Sequence, residues 1–221
     1  MTDRPPRAIL FDLDGCLVDS TVPIRECLNA ALVEHGIDPI PADDLAPRIG
    51  PPLQVMLEAL FAERGADPGL VEPVVQGYRE RYRTESLRLA ASYDGVPELI
   101  AALAASERLG VCTSKPERFA VPILEQLGLA SHFAHIEGPG LTEVEPKTVT
   151  LERLMSRMPL DPATSVMIGD RHHDVEAALA HGLVPVGVTW GFGSRDELEA
   201  AGAAAVVDHP AELREVLAGM G

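Results

Sequence analysis

Short apolar runs that alternate with helical patterns are the feature that most limits the folds open to this chain. The first run, residues 8–11 (AILF), ends in the acidic turn 12–15 (DLDG). A run with these borders is typical of a strand buried on both faces. Further strands are predicted at 109–112, 132–136, 165–168, 184–188 and 204–207. Helices are predicted between them at 97–106, 117–127, 149–158, 175–180 and 195–201. Such alternation predicts an α/β fold with a doubly wound parallel sheet.

Residues 20–88 interrupt this alternation, because they contain helical patterns and no convincing strand. The helical patterns cover 23–34, 53–64 and 70–87, with Pro/Gly-rich turns at 36–41 and 47–52. A stretch of that length is large enough to be a domain. We therefore predict a core domain of residues 1–18 and 90–221 that carries an inserted all-helical cap domain, residues 19–89. The two hinges would lie near 19–21 and 90–94.

Composition excludes several classes of protein. The chain of 221 residues has 34 acidic and 18 basic residues, a formal charge of −16, which argues against binding a nucleic acid polymer. No apolar stretch is long enough for a membrane span, and the N-terminus has no apolar signal core. The three scattered cysteines, Cys16, Cys27 and Cys112, fit neither a disulfide framework nor a zinc site. We expect a cytoplasmic protein.

Acidic residues follow two of the predicted strands. Asp12 and Asp14 come after the first strand, and Asp170 and Asp174 come after the strand at 165–168. Because ligands of doubly wound sheets bind at the carboxyl ends of the strands, these four carboxylates could converge there. An oxygen-rich site of this kind suits Mg²⁺ better than zinc. The alternative is that the same residues cap helices and turns, with Asp170 or Asp174 capping the next helix.

Groups able to bind an anion occur near a third strand end. Thr113, Ser114 and Lys115 follow the strand at 109–112 and precede a predicted helix, so their side chains and free N–H groups could hold a phosphate. Lys147 lies 23 residues before Asp170. Taken singly, the first group is also a common helix-capping pattern, and a lone lysine is usually a surface charge.

The remaining reactive side chains favour structural roles. His172 and His173 are adjacent on a predicted helix, so their side chains should point about 100° apart and not share one ion. We interpret both as mouth-lining or surface residues. Cys16 and Cys112 flank the candidate site, but no histidine at a defined spacing supports a thiolate nucleophile, and they are expected to be buried fillers.

The order of these motifs resembles that of the haloacid dehalogenase superfamily. The resemblance rests on Asp12-x-Asp14-Gly15, Thr113 after a strand, Lys147, and Gly169-Asp170-x-x-x-Asp174, and it extends over the whole chain. The helical insertion and the segments 113–116 (TSKP) and 190–194 (WGFGS) look most like the phosphoglycolate phosphatase-like branch. Two positions depart from the usual pattern: Cys16 replaces a threonine, and Lys147 stands in Glu-Pro-Lys-Thr rather than Lys-Pro.

The resemblance implies a phosphatase mechanism. Asp12 would be the nucleophile, Asp14 the general acid and base, and Thr113, the N–H of Ser114 and Lys147 would hold the phosphoryl oxygens. Mg²⁺ would be held by Asp12, the backbone carbonyl of Asp14, Asp170 and, directly or through water, Asp174. Arg48 and Gly50 resemble a cap loop that reaches the substrate, although a surface ion pair for Arg48 is an equal alternative.

The favoured function is hydrolysis of a small phosphorylated metabolite, either a phosphoglycolate-like compound or a nucleotide. The nearest alternative is a phosphosugar mutase of the beta-phosphoglucomutase type, which uses the same aspartyl-phosphate. A different class remains open: a phosphorylatable signalling module, or a silent binding protein on the same fold. The sequence is compatible with a monomer or a homodimer.

Overall fold

The computed structural model describes residues 6–220 and contains a six-stranded parallel sheet with helices on both faces. The strands, in chain order, are β1 (Ala8–Phe11), β2 (Val18–Asp19), β3 (Ala91–Ser92), β4 (Arg108–Cys112), β5 (Phe133–Glu137), β6 (Val166–Gly169), β7 (Val184–Val188) and β8 (Ala205–Val207). The sheet has the order β5-β4-β1-β6-β7-β8, and every pair of neighbours is parallel. This confirms the predicted doubly wound α/β core.

Ten α-helices lie within the described residues. They are α1 (Thr21–Glu34), α2 (Ala42–Leu45), α3 (Leu53–Arg64), α4 (Val71–Leu89), α5 (Val96–Ala104), α6 (Glu117–Gln126), α7 (Lys147–Arg157), α8 (His172–Ala180), α9 (Arg195–Ala201) and α10 (Pro210–Gly219). No helix in this part of the chain combines the length and apolar character that crossing a bilayer requires.

Strand β1 is at the centre of the sheet and supplies side chains to two apolar clusters. Because successive strand residues point to opposite faces, Ile9 and Phe11 enter one cluster while Ala8 and Leu10 enter the other. The cluster on the Ile9 side includes apolar residues of α5, α6 and α10. The cluster on the Ala8 side includes residues of α7 and α8. Burial on both faces explains why this strand reads as a continuous apolar run.

Residues 19–89, called the helical insertion below, contain α1 to α4. Its apolar residues belong to the same cluster as Ile9 and Phe11, so the insertion packs continuously with one face of the core. At its two ends the chain forms a short antiparallel pair, in which Val18 opposes Ser92 and Asp19 opposes Ala91. The two segments predicted to be hinges are thus hydrogen-bonded to each other or directly adjacent to that pair.

The predicted elements are present with boundaries shifted by a few residues at most. Strand β7 and helices α3 and α9 have the predicted limits, and the strand predicted at 132–136 is β5. The structure adds α2, α10 and the pair β2–β3, which were not predicted. The two strands of that pair have two residues each, too few for a periodic pattern to be recognised.

Candidate active site

The catalytic candidates meet at the carboxyl edge of the sheet because of the strand order. Strand β1 lies between β4 and β6, with Phe11 opposite Val111 on one side and Ile168 on the other. The residues that leave these strands are Asp12, Thr113 and Asp170, so they arrive at one edge although they are far apart in sequence. Asp12, Thr113 and Asp170 are all buried.

Three carboxylates form the centre of the site. Asp12, Asp170 and Asp174 are buried and each offers an oxygen within 4.8 Å of the others. Lys147, at the start of α7, places its Nζ 2.9 Å from Asp12 Oδ1 and also donates to Asp174 Oδ1. The structure therefore brings Lys147 into the cluster in spite of its unusual sequence context.

The buried cluster carries more negative charge than its protein partner can balance. Burial raises the pKa of Asp12 to about 7, against the opposing effect of Lys147 and with a contribution from Asp174. Burial, together with the charges of Asp174 and Asp12, also raises the pKa of Asp170 well above its usual value. Although burial disfavours a charged lysine, the neighbouring Asp12 and Asp174 keep the pKa of Lys147 above its ordinary value.

These residues fit a divalent cation. Asp170 Oδ1 is buried and has no hydrogen-bond partner among the described residues, whereas its Oδ2 accepts a 2.7 Å bond from the N–H of Phe192. An unpartnered buried carboxylate oxygen beside two other carboxylates is the kind of site that a hard cation stabilises. With oxygen ligands only, the set suits Mg²⁺ better than a transition metal. Asp174 has two roles. Besides belonging to the carboxylate cluster, it caps α8, because its Oδ2 accepts a hydrogen bond from the N–H of Arg171.

Backbone crowding around Asp170 explains the glycine after the first acidic motif. Gly15 has φ +84°, and a Cβ there would collide with the carboxylate of Asp170. Only glycine combines this left-handed conformation with so close an approach. The neighbouring loop is held by Trp190, whose Nε1 donates a 3.0 Å bond to the carbonyl of Cys16. Cys16 is buried, and burial raises its thiol pKa, which is the opposite of what a thiolate nucleophile needs.

Asp14 lies outside this cluster and has its own partners. Its Oδ1 accepts bonds from the Ser20 hydroxyl and from Lys115 Nζ, the latter at 2.5 Å. Lys115 Nζ also donates a 2.5 Å bond to the hydroxyl of Tyr82, on α4 of the helical insertion. Tyr82 is buried, so the insertion reaches the second aspartate through one lysine. Lys115 was predicted to bind an anion, but its ammonium group already binds Asp14 and Tyr82.

A cavity of about 100 Å³ that opens to solvent lies between this edge and the helical insertion. From the core it is lined by Asp12, Asp14, Thr113, Ser114, Lys115 and Phe119, and from the insertion by Ile24, Arg48, Ile49, Gly50, Met56, Tyr78, Arg79 and Tyr82, among others. The predicted nucleophile, phosphate-binding residues and insertion loop therefore border one space. The arrangement can accept a phosphorylated compound with a leaving group that faces the insertion.

The two insertion residues predicted to reach the substrate have structural partners as well. Arg48 forms a two-pronged ion pair with Glu63, at 3.1 and 2.7 Å, and donates to the carbonyl of Asp44. Gly50 has φ +135°, and a Cβ there would lie 3.3 Å from the side chain of Arg171. Arg171 in turn donates to the carbonyl of Ile49 and so joins the core to the insertion loop.

The expectation that His172 and His173 point apart is wrong. Their ring centroids are 3.8 Å apart, and Glu176 places a carboxylate oxygen within 4.8 Å of both rings. The reason is Glu197, which accepts from the N–H of His172 and lies 2.6 Å from its Nδ1, fixing the ring at the start of α8.

Sequence reasoning missed three residues of the site: Ser20, Arg79 and Tyr82. Tyr78 and Tyr82 are four residues apart on α4, and their rings stack at 4.9 Å. Two aromatic residues at this spacing in a helix otherwise rich in charge were the available signal. Nothing in the sequence indicated that the hydroxyl of Tyr82 meets a lysine 33 positions away.

Comparison with known proteins agrees with this geometry. The family model of the haloacid dehalogenase-like hydrolases matches residues 9–188. The chain is 33% identical over 214 residues to the N-acetylmuramic acid 6-phosphate phosphatase of Pseudomonas aeruginosa, covering 96% of this chain and 94% of that one. It is 35% identical over 198 residues to the phosphoglycolate phosphatase of Agrobacterium fabrum, covering 87% and 84%.

A relative with a different name has similar identity. The tyrosine-protein kinase PtkA of Mycobacterium tuberculosis is 37% identical over 218 residues, which cover 96% of this chain and 72% of that protein. Among solved structures, a predicted phosphatase from Clostridium acetobutylicum superimposes with a TM-score of 0.88 at 31% identity, covering 97% of this chain and 99% of that chain.

Proposed function

The chain belongs to the haloacid dehalogenase-like hydrolase family, and we propose that it is a Mg²⁺-dependent phosphatase of small phosphomonoesters. Hydrolysis of phosphate monoesters is the activity in the names of its phosphatase relatives. The observation that carries the proposal is the buried group of Asp12, Asp170 and Asp174, paired with Lys147 and bordering the cavity through Asp12. We further propose that residues 19–89 act as a cap that determines the leaving group.

In the first step Asp12 attacks phosphorus. A bond forms between a carboxylate oxygen of Asp12 and phosphorus while the ester bond to the leaving oxygen breaks. Lys147 Nζ forms an ion pair with Asp12 Oδ1 and holds this carboxylate in place. Thr113 and Ser114 border the cavity and supply donors for the phosphoryl oxygens. When bound by the three carboxylates, Mg²⁺ would neutralise negative charge on the phosphoryl group.

Asp14 moves the proton. It protonates the leaving oxygen in the first step and takes a proton from water in the second, in which water attacks phosphorus and frees Asp12. One carboxylate oxygen, Oδ1, is held by Ser20 and Lys115, and the other has no partner among the described residues. Asp14 is partly exposed to the cavity, as this role requires. The charge of Lys115 keeps the carboxylate fixed between the two steps.

Two features support a cytoplasmic site of action on a soluble metabolite. The three cysteines are free and buried, as in a reducing compartment. The cavity is small, about 100 Å³, and one side of it is formed by the insertion, which favours a small molecule over a polymer. The favoured substrates are a phosphoglycolate-like compound or a nucleotide.

The proposal is tested by phosphate release from an aryl phosphate at neutral pH, with Mg²⁺ or with EDTA, for the wild type and Asp12→Asn. We expect release that needs Mg²⁺ and is lost in the variant. Release that EDTA or the substitution leaves unchanged would contradict the proposal. An assay with sugar phosphates distinguishes a phosphatase from a mutase, because a mutase releases little phosphate. An assay with a labelled peptide distinguishes hydrolysis from phosphoryl transfer to tyrosine.

A further inference from the structure

Three cationic side chains line the cavity, and two of them are already engaged. Lys115 binds Asp14 and the Tyr82 hydroxyl, and Arg48 is held by both carboxylate oxygens of Glu63. Arg79 lines the same cavity and is half-buried, but no described residue accepts a hydrogen bond or ion pair from it. It is therefore the cation of the cavity wall whose charge is available to a ligand.

Arg79 lies close in the helix to a residue that is linked to Asp14. It lies on α4, directly after Tyr78 and three residues before Tyr82. Three residues correspond to about 4.5 Å along a helix axis, and they bring Arg79 and Tyr82 to neighbouring parts of one face. Tyr82 binds Lys115, which in turn binds Asp14, so Arg79 lies about one helical turn from a residue that is linked to Asp14 through one lysine.

The apolar walls of the cavity strengthen an ion pair between Arg79 and a ligand. Apolar and aromatic residues make up much of the wall near the insertion, including Ile24, Met56, Tyr78 and Phe119. An ion pair gains strength where apolar walls displace water. A guanidinium group also presents paired donors that match a carboxylate, which a lysine does not.

We propose that Arg79 binds a carboxylate of the substrate, so that the preferred substrate class is a phosphomonoester of a hydroxy acid with the carboxylate a few bonds from the ester. This inference rests on the proposed function for the identity of the phosphoryl site. It assigns the discrimination to Arg79 rather than Arg48. A nucleoside monophosphate, whose leaving group has no anion, would not use this contact.

A binding experiment tests the inference without turnover. Two stable phosphonates, 3-phosphonopropionate and propylphosphonate, differ only in the carboxylate. Their affinities are measured by calorimetry with Mg²⁺ for the wild type, Arg79→Gln, Arg79→Lys and Arg83→Gln. Arg83 is a matched control, because it lies one turn along α4, is exposed and does not line the cavity.

We expect the wild type and Arg83→Gln to bind the carboxylated phosphonate about ten- to a hundredfold more tightly than the other. Arg79→Gln should bind both alike, and Arg79→Lys should keep part of the preference. A preference that persists in Arg79→Gln, or is absent from the wild type, would overturn the inference.

Hydrolysis of 2-phosphoglycolate and ethyl phosphate by the same proteins distinguishes the two proposals. An Arg79-dependent binding preference without hydrolysis of either ester would uphold the carboxylate site and contradict the phosphatase. Hydrolysis of both esters with equal efficiency in the wild type and in Arg79→Gln would uphold the phosphatase and contradict the carboxylate site.

Discussion

The carboxyl edge of the sheet and the wall of the helical insertion face the same cavity but are built differently. At the edge, Asp12, Asp170 and Asp174 are buried with a single lysine among them. The insertion wall is largely apolar, and its two arginines differ mainly in whether a protein carboxylate already holds them. The edge thus concentrates charge for a reaction common to many esters. Among the described residues, the wall offers one cation without a protein partner, and this cation could select among those esters.

This difference predicts that changes at the edge affect all substrates alike. Lys147→Met removes the cation between Asp12 and Asp174. We expect about a thousandfold loss of kcat for every ester, and a free energy of unfolding lower by about 3–5 kcal/mol because two buried carboxylates lose their partner. Activity is measured by phosphate release and stability by urea unfolding. Arg214→Met, an exposed control on α10, should match the wild type. Near-normal kcat in Lys147→Met would contradict the role of the edge.

Metal binding gives the next largest effect and also belongs to the edge. Saturating Mg²⁺ should raise the Tm of the wild type by about 5 °C or more, and should not raise that of Asp170→Asn. The pH dependence follows from Asp12, whose folded pKa is raised to about 7 by burial. Without metal, the protonated carboxyl stabilises the fold at low pH, and this contribution is lost as pH rises through 7. Because Mg²⁺ needs the ionised form, its effect on Tm should be larger at pH 8 than at pH 5.

Equal Mg²⁺ shifts at both pH values, or a normal shift in Asp170→Asn, would contradict that assignment. Differential scanning fluorimetry in matched ionic strength is sufficient for the measurement. Sodium chloride at the same ionic strength serves as a control for general ionic effects.

A variant at the junction of the two regions sharpens the comparison. Tyr82→Phe removes the hydroxyl that binds Lys115 while retaining the buried ring. We expect kcat to fall about tenfold for all esters, since Lys115 is less well held beside Asp14, with a loss of about 1 kcal/mol in stability. Tyr93→Phe is the control, because it removes a hydroxyl from a partly buried tyrosine that does not line the cavity. Identical kinetics for the two variants would show that the bond between Tyr82 and Lys115 does not affect catalysis.

The smallest effect is expected for the arginine that the protein already holds. Arg48→Gln breaks an exposed ion pair with Glu63, and such pairs contribute little. We expect the KM for carboxylated and neutral esters to stay within twofold of the wild type, and Tm to change by about 1 °C or less. An increase in KM confined to the carboxylated ester would transfer the specificity role from Arg79 to Arg48.

The same contrast explains how much could be predicted from the sequence. Residues at the edge follow directly after buried strands, so the strand order alone brings Asp12, Thr113 and Asp170 together. Lys147 stands in an unusual motif, and its contact with Asp12 depends on how α7 packs. The roles of the individual site residues stay predictions until they are tested.

The insertion was predictable as helices but not as a binding wall. Helical periodicity shows which residues share a face of a helix, but it does not show which acidic residue will pair with a given arginine. Arg48, between α2 and α3, pairs with Glu63 of α3, while Arg79 pairs with no described acid. The contact between Tyr82 and Lys115 likewise joins the insertion to the core. Such contacts depend on tertiary packing, which a local sequence pattern does not contain.

The most direct test of the central claim is to trap the phosphorylated nucleophile. The wild type is quenched during turnover of 2-phosphoglycolate or an aryl phosphate and treated with borohydride, which reduces an acyl phosphate to an alcohol. Peptide mass spectrometry then locates the modified residue. The account predicts homoserine at position 12, dependent on substrate and Mg²⁺, and unmodified Asp14 and Asp170. Turnover without any trapped residue, or a modification at Asp14 or Asp170, would contradict it.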